Sequence, residues 1–268
     1  MKALCLLPLL LAPLFAAPKP DKLIPFKKVG DVELKLHVFN PKGHKASDSR
    51  PAIVFFFGGG WNGGSPSQFY PQSAHLASLG MVAISAEYRV KSRNGTTPLE
   101  CVQDGNSAIR WVRTHAKELG INPKMIAAGG GSAGGHVAAA TGTTKGIFEK
   151  GEDLLVSAQP DALVLFNPVF DNSKEGYGYD RVKSYWKRIS PLHNIDKNCP
   201  PTIIFLGTND SLIPTSTAEK YRRAMEKADV RCDLHLFQGE LHGFFNKSKY
   251  NETVTAMSAF LRELGYLQ

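Results

Sequence analysis

A serine flanked by glycines lies where a strand is expected to turn into a helix. The segment Gly129–Gly135 reads GGGSAGG and contains the pattern G-x-S-x-G around Ser132. An apolar run, Met125–Ala128, precedes it, and small residues follow it to about Gly142. Glycines on both sides permit the tight turn that exposes a serine hydroxyl as a nucleophile, whereas a phosphate-binding loop would need a lysine that is absent here. We therefore predict that Ser132 is a catalytic nucleophile.

Two later residues could activate this serine. Asp210 follows one short apolar run, and His242 follows the next. A serine hydroxyl must lose its proton as it attacks, and an imidazole that is oriented by a carboxylate can take that proton. The order serine, acid, histidine along the chain matches one known arrangement of such triads. We predict that Asp210 is the acid and His242 the base, with Asp196 and Asp233 as alternative acids.

A second glycine-rich segment, Phe57–Trp61, follows an earlier apolar run. Acyl transfer needs backbone N–H groups that face the oxyanion formed during attack, and glycines present such groups without obstructing side chains. A tight loop with no catalytic role is the alternative. Beside a nucleophile turn, the segment favours an oxyanion hole.

The elements that must position these residues alternate between strand and helix. Short apolar runs typical of buried strands recur along the chain, and Thr97–Glu100 forms a capping box that begins a helix expected to end at Gly120. This alternation predicts an α/β fold with a mostly parallel central sheet and helices on both faces. We expect one domain over residues 18–268, in which residues 171–193 form a small lid-like insertion.

The first 17 residues have the pattern of a secretory signal peptide: Lys2, then an apolar run to Phe15, then small residues before Pro18. The run is shorter than a membrane-spanning helix and is interrupted by two prolines, so we expect no stable insertion into a membrane. The sequence thus predicts export, to the periplasm or the medium.

Composition excludes several other classes of protein. The 268 residues carry a net charge of +8, which is spread along the chain and does not predict nucleic-acid binding. After removal of the signal peptide three cysteines remain, and neither they nor the histidines have the spacing of metal ligands. We expect no metal and no cofactor.

With these motifs the chain resembles an α/β-hydrolase of the hormone-sensitive-lipase-like, acetyl esterase group, in particular the exported bacterial carbohydrate esterases of acetylxylan and feruloyl esterase type. The resemblance implies the catalytic roles given above and an oxyanion hole formed by the amides of Gly59, Gly60 and Ala133. Two positions depart from the family pattern: Phe57 stands where a histidine is usual, and Gly131 where an acidic residue is frequent.

The predicted function is that of a serine carboxylic ester hydrolase. We expect it to cleave short or aromatic acyl esters on a small molecule or a polysaccharide through an acyl-enzyme. Trp61, Tyr185 and Trp186 are candidate substrate contacts, although the aromatic residues of the insertion could equally pack it onto the sheet. A serine peptidase of related fold and a non-enzymatic binding protein on the same scaffold are the alternatives.

Overall fold

Eight strands form one sheet in the order β1-β2-β4-β3-β5-β6-β7-β8 in the computed structural model, which describes residues 17–268. The strands are β1 (Lys22–Val29), β2 (Val32–Phe39), β3 (Arg50–Phe56), β4 (Val82–Ala86), β5 (Ile121–Gly131), β6 (Ala162–Phe166), β7 (Thr202–Gly207) and β8 (Cys232–Phe237). β1 and β2 pair antiparallel, and β3 to β8 run parallel to one another. The predicted mostly parallel sheet is confirmed. The predicted signal peptide lies, except for Ala17, outside the described residues.

Helices cover both faces of the sheet, as predicted. They are α1 (Tyr70–Ser78), α2 (Lys91–Asn94), α3 (Pro98–Thr114), α4 (Ala133–Thr143), α5 (Tyr179–Val182), α6 (Trp186–Ile189), α7 (Thr215–Lys227) and α8 (Tyr250–Glu263). Apolar side chains of α1 and α8 pack on one face, and those of α3, α4 and α7 pack on the other. Every residue of β4, β6 and β7 is buried, because strands covered on both sides have no face in water.

Helix α3 begins as the sequence predicts and ends earlier. Thr97 and Glu100 form the capping box, with the Glu100 carboxylate accepting the Thr97 N–H at 2.7 Å. The α-helix ends at Thr114, so the prediction that it continues to Gly120 is wrong. At His115 the backbone leaves the helical region, with φ −96° and ψ 16°, and the next N–H, that of Ala116, donates to the carbonyl three residues back. Gly120, in the left-handed conformation, closes the irregular turn that follows.

A buried ionic network fixes α3 to the start of the chain. Asp104 of α3 is fully buried and accepts hydrogen bonds from Lys27 of β1 at 2.6 Å and from Arg89 at 2.8 Å. Glu149 pairs with both cations from the other side. Two cations and two carboxylates neutralise one another, and removal of one carboxylate would leave buried charge uncompensated.

Residues 17–268 contain no helix that is long and apolar enough to cross a bilayer. In the same part of the chain, His, Cys, Asp and Glu side chains do not gather in groups of three that could hold a metal ion. Cys101, Cys199 and Cys232 are free thiols.

Candidate active site

Ser132 occupies a strained turn between β5 and α4. Its backbone angles, φ 54° and ψ −119°, lie outside the regions that L residues prefer, so the surrounding structure must hold them. A Cβ on Gly134 would lie 2.1 Å from the Phe56 carbonyl oxygen, and one on Gly130 would lie 2.4 Å from that of Gly134. The two glycines of the motif are therefore required by close backbone approach, which lets the turn present the serine at the carboxyl edge of the sheet.

His242 lies between Ser132 and Asp210. Its Nε2 is 2.9 Å from Ser132 Oγ, and its Nδ1 is 2.7 Å from Asp210 Oδ2. Since a carboxylate only accepts, Nδ1 carries the proton and Nε2 is left to accept one from the serine. The other carboxylate oxygen, Oδ1, accepts the backbone N–H groups of Leu212 and Ile213, each at 2.9 Å. The carboxyl side chain of Asp210 is thus buried and fixed in orientation.

Asn167, which the sequence did not single out, fixes the loop that carries His242. It follows β6, is fully buried and has a positive φ of 35°. Its Oδ1 accepts the Gly243 N–H at 3.0 Å, which turns its Nδ2 toward His242 Nε2 at 3.4 Å. The imidazole nitrogen that must accept the serine proton therefore faces two donors, the serine hydroxyl and the asparagine amide.

Three backbone N–H groups are available at the serine turn and the glycine loop. The N–H groups of Gly59, Gly60 and Ala133 donate no hydrogen bond to any part of the chain that the structure describes. Gly59 and Gly60 have positive φ values of 134° and 62°, and a Cβ on Gly59 would lie 2.3 Å from the Gly63 carbonyl oxygen. The loop conformation that leaves these groups unpaired therefore depends on glycine.

Phe57, one of the two residues that depart from the family pattern, is held by packing. Its ring stacks on Tyr88 with centroids 4.2 Å apart, and the Tyr88 hydroxyl donates to the Phe57 carbonyl at 2.6 Å. Next to it, the Gly58 N–H donates to Gln68 Oε1 at 2.5 Å. Tyr88 and Gln68 therefore fix the entry to the glycine loop without a histidine at position 57.

Trp61, one of the three predicted substrate contacts, is 1% exposed and lines a cleft beside Gly60, and its contact with substrate stays a prediction. Its indole N–H donates to Nδ1 of His136 at 3.3 Å, and the two rings meet edge to face. His136 Nε2 in turn donates to Asn172 Oδ1 and to the Ile189 carbonyl, each at 2.9 Å. Burial lowers the pKa of His136 to about 4, so this imidazole stays neutral. It connects the glycine loop, α4 and the insertion.

The other two predicted substrate contacts lie in the insertion. Tyr185 and Trp186 are half-buried and pack against the apolar cluster of residues that includes Val102, Ala140 and Ile189. Trp186 also meets His193 edge to face. These contacts favour the packing interpretation of the two aromatic residues, and a role in substrate binding remains a prediction.

Among the residues that support the triad, some could have been found from the sequence and others could not. Asn167 could have been found from its position directly after a buried strand, where polar side chains of a parallel sheet collect. Tyr88 and His136 had no comparable signal, because they act through contacts between segments distant in sequence. Gln68 had none either, because no local pattern indicates that its side chain reaches the Gly58 N–H.

A mostly parallel sheet with helices on both faces, and a serine on a strained turn bonded to a histidine and an aspartate, define a serine hydrolase of the α/β-hydrolase fold. Comparison with known proteins agrees. The chain belongs to the BD-FAE family, whose model matches residues 36–225.

A similar solved structure is esterase 2 of Thermogutta terrifontis phosphoramylated by tabun, with a TM-score of 0.89 and 45% identity over 96% of this chain and 99% of that chain. That esterase has also been solved with propionate and with butyrate bound. The probable carboxylic ester hydrolase LipM of Mycobacterium tuberculosis is 28% identical over 80% of this chain and 54% of its own length. The acetylxylan esterase of Xylanibacter ruminicola is 28% identical over 76% of this chain and 42% of its own length. The chain thus spans about half the length of these curated relatives.

Proposed function

We propose that the protein is a carboxylic ester hydrolase that cleaves short or aromatic acyl esters on carbohydrate through an acyl-enzyme. The observation that carries the proposal is the hydrogen-bonded series Ser132–His242–Asp210 beside unpaired amides of the glycine loop. The esterase neighbours support the reaction class.

In the acylation step, Ser132 Oγ attacks the ester carbonyl carbon while its proton passes to His242 Nε2. The Asp210 carboxylate stabilises the imidazolium, and the N–H groups of Gly59, Gly60 and Ala133 donate to the oxyanion. When the tetrahedral intermediate collapses, the bond to the alcohol oxygen breaks and that oxygen takes the proton from Nε2. An acyl group remains on the serine.

In the deacylation step a water molecule takes the place of the alcohol. His242 Nε2 accepts a proton from the water as its oxygen attacks the acyl carbon. Collapse of the second intermediate breaks the ester bond to Ser132 and returns the proton to the serine oxygen. The products are a carboxylic acid and the free enzyme.

Two observations support a short acyl group. Aromatic side chains pack tightly against the turn that carries the serine: a Cβ on Gly131 would lie 2.7 Å from Phe245 and 3.3 Å from Phe69. The neighbour esterase 2 has been solved with three- and four-carbon acids, propionate and butyrate. We expect higher kcat/KM for acetyl to butyryl esters than for dodecanoyl esters.

A polar cleft supports a carbohydrate alcohol. It has a volume of about 400 Å³ and lies beside Gly60, between the glycine loop, the residues that enter α3, and α5. Its side chains include hydroxyl, amide and charged groups, which suit an alcohol rich in hydroxyl groups. The similarity to an acetylxylan esterase agrees with this proposal.

The proposal is tested by comparing the wild type with Ser132→Ala on nitrophenyl acetate, acetylated xylan and feruloyl esters. We expect the variant to fold normally and to lose about 10⁴–10⁶-fold in kcat. Mass spectrometry after paraoxon treatment should find the adduct on the peptide that contains Ser132. A variant that keeps a tenth of wild-type activity would exclude Ser132 as the nucleophile.

A serine peptidase remains the second candidate, because peptidases use the same triad chemistry. The esterase relatives favour ester substrates. Aminoacyl anilides, assayed beside nitrophenyl acetate, distinguish the two: an esterase hydrolyses only the second at an appreciable rate.

We further propose that the protein is exported, on the basis of the charged, apolar and small-residue order of residues 1–17. Expression of the full chain followed by cell fractionation and N-terminal sequencing tests this. The expected product lies outside the cytoplasm and begins at Ala17 or Pro18. A cytoplasmic product with an intact N-terminus would contradict the proposal.

A further inference from the structure

The cleft beside Gly60 is lined by two charged hydrogen-bond donors that have no ion-pair partner in the described part of the chain. Lys91 and Arg181 line it from opposite elements, α2 and α5. No carboxylate among residues 17–268 forms an ion pair with either side chain, and Asp180, the carboxylate that lines the cleft, is neutralised by Lys183 at 2.8 Å. Both cations are exposed and remain free to bind a ligand.

Arg181 is held in position at this cleft. Its Nη1 donates to the Gly60 carbonyl at 2.7 Å, and its guanidinium lies 5.9 Å from the Trp61 ring and 5.8 Å from the Tyr177 ring. The remaining guanidinium N–H groups have no partner in the described part of the chain. Because the carbonyl belongs to the glycine loop, a ligand held by Arg181 lies next to the proposed oxyanion site.

Two further groups in the cleft lack partners. The Thr96 hydroxyl is buried and has no hydrogen-bond partner, although buried hydroxyl groups normally have one. The Asn62 side chain also makes no hydrogen bond within residues 17–268. By contrast, the nearby Glu100 carboxylate is engaged in the capping box of α3, where it accepts from the N–H and hydroxyl of Thr97. It is therefore not turned to the two cations.

We propose that this cleft binds the carboxylate of a sugar acid, on the alcohol side of the ester. Two unpaired cations select an anion, while an amide and an unsatisfied hydroxyl suit the hydroxyl groups of a sugar ring. The proposal rests on the ester hydrolase function and names its alcohol: a uronic acid, or a polysaccharide that contains one, acylated on a hydroxyl group. Arg181 and Lys91 are specificity-determining residues in this assignment.

The test uses two substrates that differ only in charge: a monoacetylated methyl galactopyranosiduronate as the free acid, and the same compound as its primary amide. We expect wild-type kcat/KM to be about tenfold higher for the acid, the size of one charge-assisted hydrogen bond. Added NaCl should reduce this ratio, because screening weakens exposed ion pairs.

Lys91→Met should reduce the ratio to about threefold or less by losing one of the two cations. Lys42→Met is the matched control, since this lysine is also exposed, forms no ion pair within residues 17–268 and lies outside the cleft lining. Its ratio should equal that of the wild type. Hydrolysis of nitrophenyl acetate, which has no carboxylate, should be unchanged in the control variant, and circular dichroism shows whether Lys91→Met is folded.

A wild-type ratio below three, or a ratio that Lys91→Met leaves unchanged, would overturn the proposal for this cleft. If the wild type still hydrolyses nitrophenyl acetate in that case, the ester hydrolase function stands. Absence of hydrolysis of every ester would instead contradict the proposed function itself. Should Lys91→Met fail to fold, the salt dependence of the wild-type ratio decides: a ratio that is constant from low to high salt excludes recognition by charge.

Discussion

Asp210→Asn provides a sharp test of the proposed triad, because the structure fixes how the new amide must lie. The present Oδ1 accepts two backbone N–H groups, those of Leu212 and Ile213. An NH₂ group in that position would face two buried donors and leave both unsatisfied, at about 1–3 kcal/mol each. The amide oxygen therefore stays on the two N–H groups, and the NH₂ turns to His242 Nδ1.

This orientation forces the wrong tautomer on His242. Facing a donor, Nδ1 must accept, so the ring proton moves to Nε2, which then cannot take the serine proton. We expect kcat to fall about 10⁴-fold, equivalent to about 5 kcal/mol of transition-state stabilisation. The variant should remain folded, because the two backbone hydrogen bonds are kept.

The assay is steady-state hydrolysis of nitrophenyl acetate, together with the rate of labelling by paraoxon. Labelling should slow by a similar factor, since attack by Ser132 requires the same proton transfer. Asp196→Asn, which changes a more exposed aspartate paired with Lys145, is the control and should keep full activity. An Asp210→Asn variant with more than a tenth of wild-type kcat would refute the reasoning.

Three further predictions concern buried residues outside the triad. Burial lowers the pKa of His136 from its ordinary value of 6.5 to about 4, so the unfolded chain binds more protons between these pH values and acid weakens the fold by up to about 3 kcal/mol. Urea unfolding at pH 7 and 4.5 should show a smaller loss on acidification for His136→Gln than for the wild type. Asn167→Ala frees the Gly243 N–H and should lower kcat about tenfold with little change in KM; an unchanged kcat would contradict its positioning role. Asp104→Asn should lower the free energy of unfolding by about 3–5 kcal/mol. Asp180→Asn, which changes an exposed ion pair, should lower it by less than about 1 kcal/mol. If urea unfolding gives the same change for both variants, the buried network adds no stability.

Much of the fold could be predicted from the sequence because a strand that is buried on both faces consists of a short run of apolar residues. The buried strands β4, β6 and β7 are short, nearly continuous apolar runs, and such runs separated by capped helices require a parallel sheet covered on both faces. The end of α3 could not be predicted in this way. It depends on the backbone of His115, which leaves the helical region although the apolar periodicity continues through Ala116 and Leu119.

The groups proposed for the chemistry could also be predicted, since each directly follows a strand of the sheet or lies within a few residues of its end. In a parallel sheet these ends meet at one edge, so Ser132, Asp210 and His242 are brought together by the topology that the apolar runs already imply. The strained turn at Ser132 was likewise signalled by its glycines, because close backbone approach leaves no room for a side chain.

Only the tertiary structure decided what supports those groups and where a substrate can enter. Trp61 is aromatic and adjacent to the glycine loop, which made it a plausible substrate contact, yet it is buried against His136. Asn167 and Arg181 act on segments far away in sequence, through single hydrogen bonds to backbone groups. Local sequence patterns report which residues are buried and where the chain turns. They do not report which side chain reaches a particular distant backbone group, because that depends on the packing of the whole sheet and its helices.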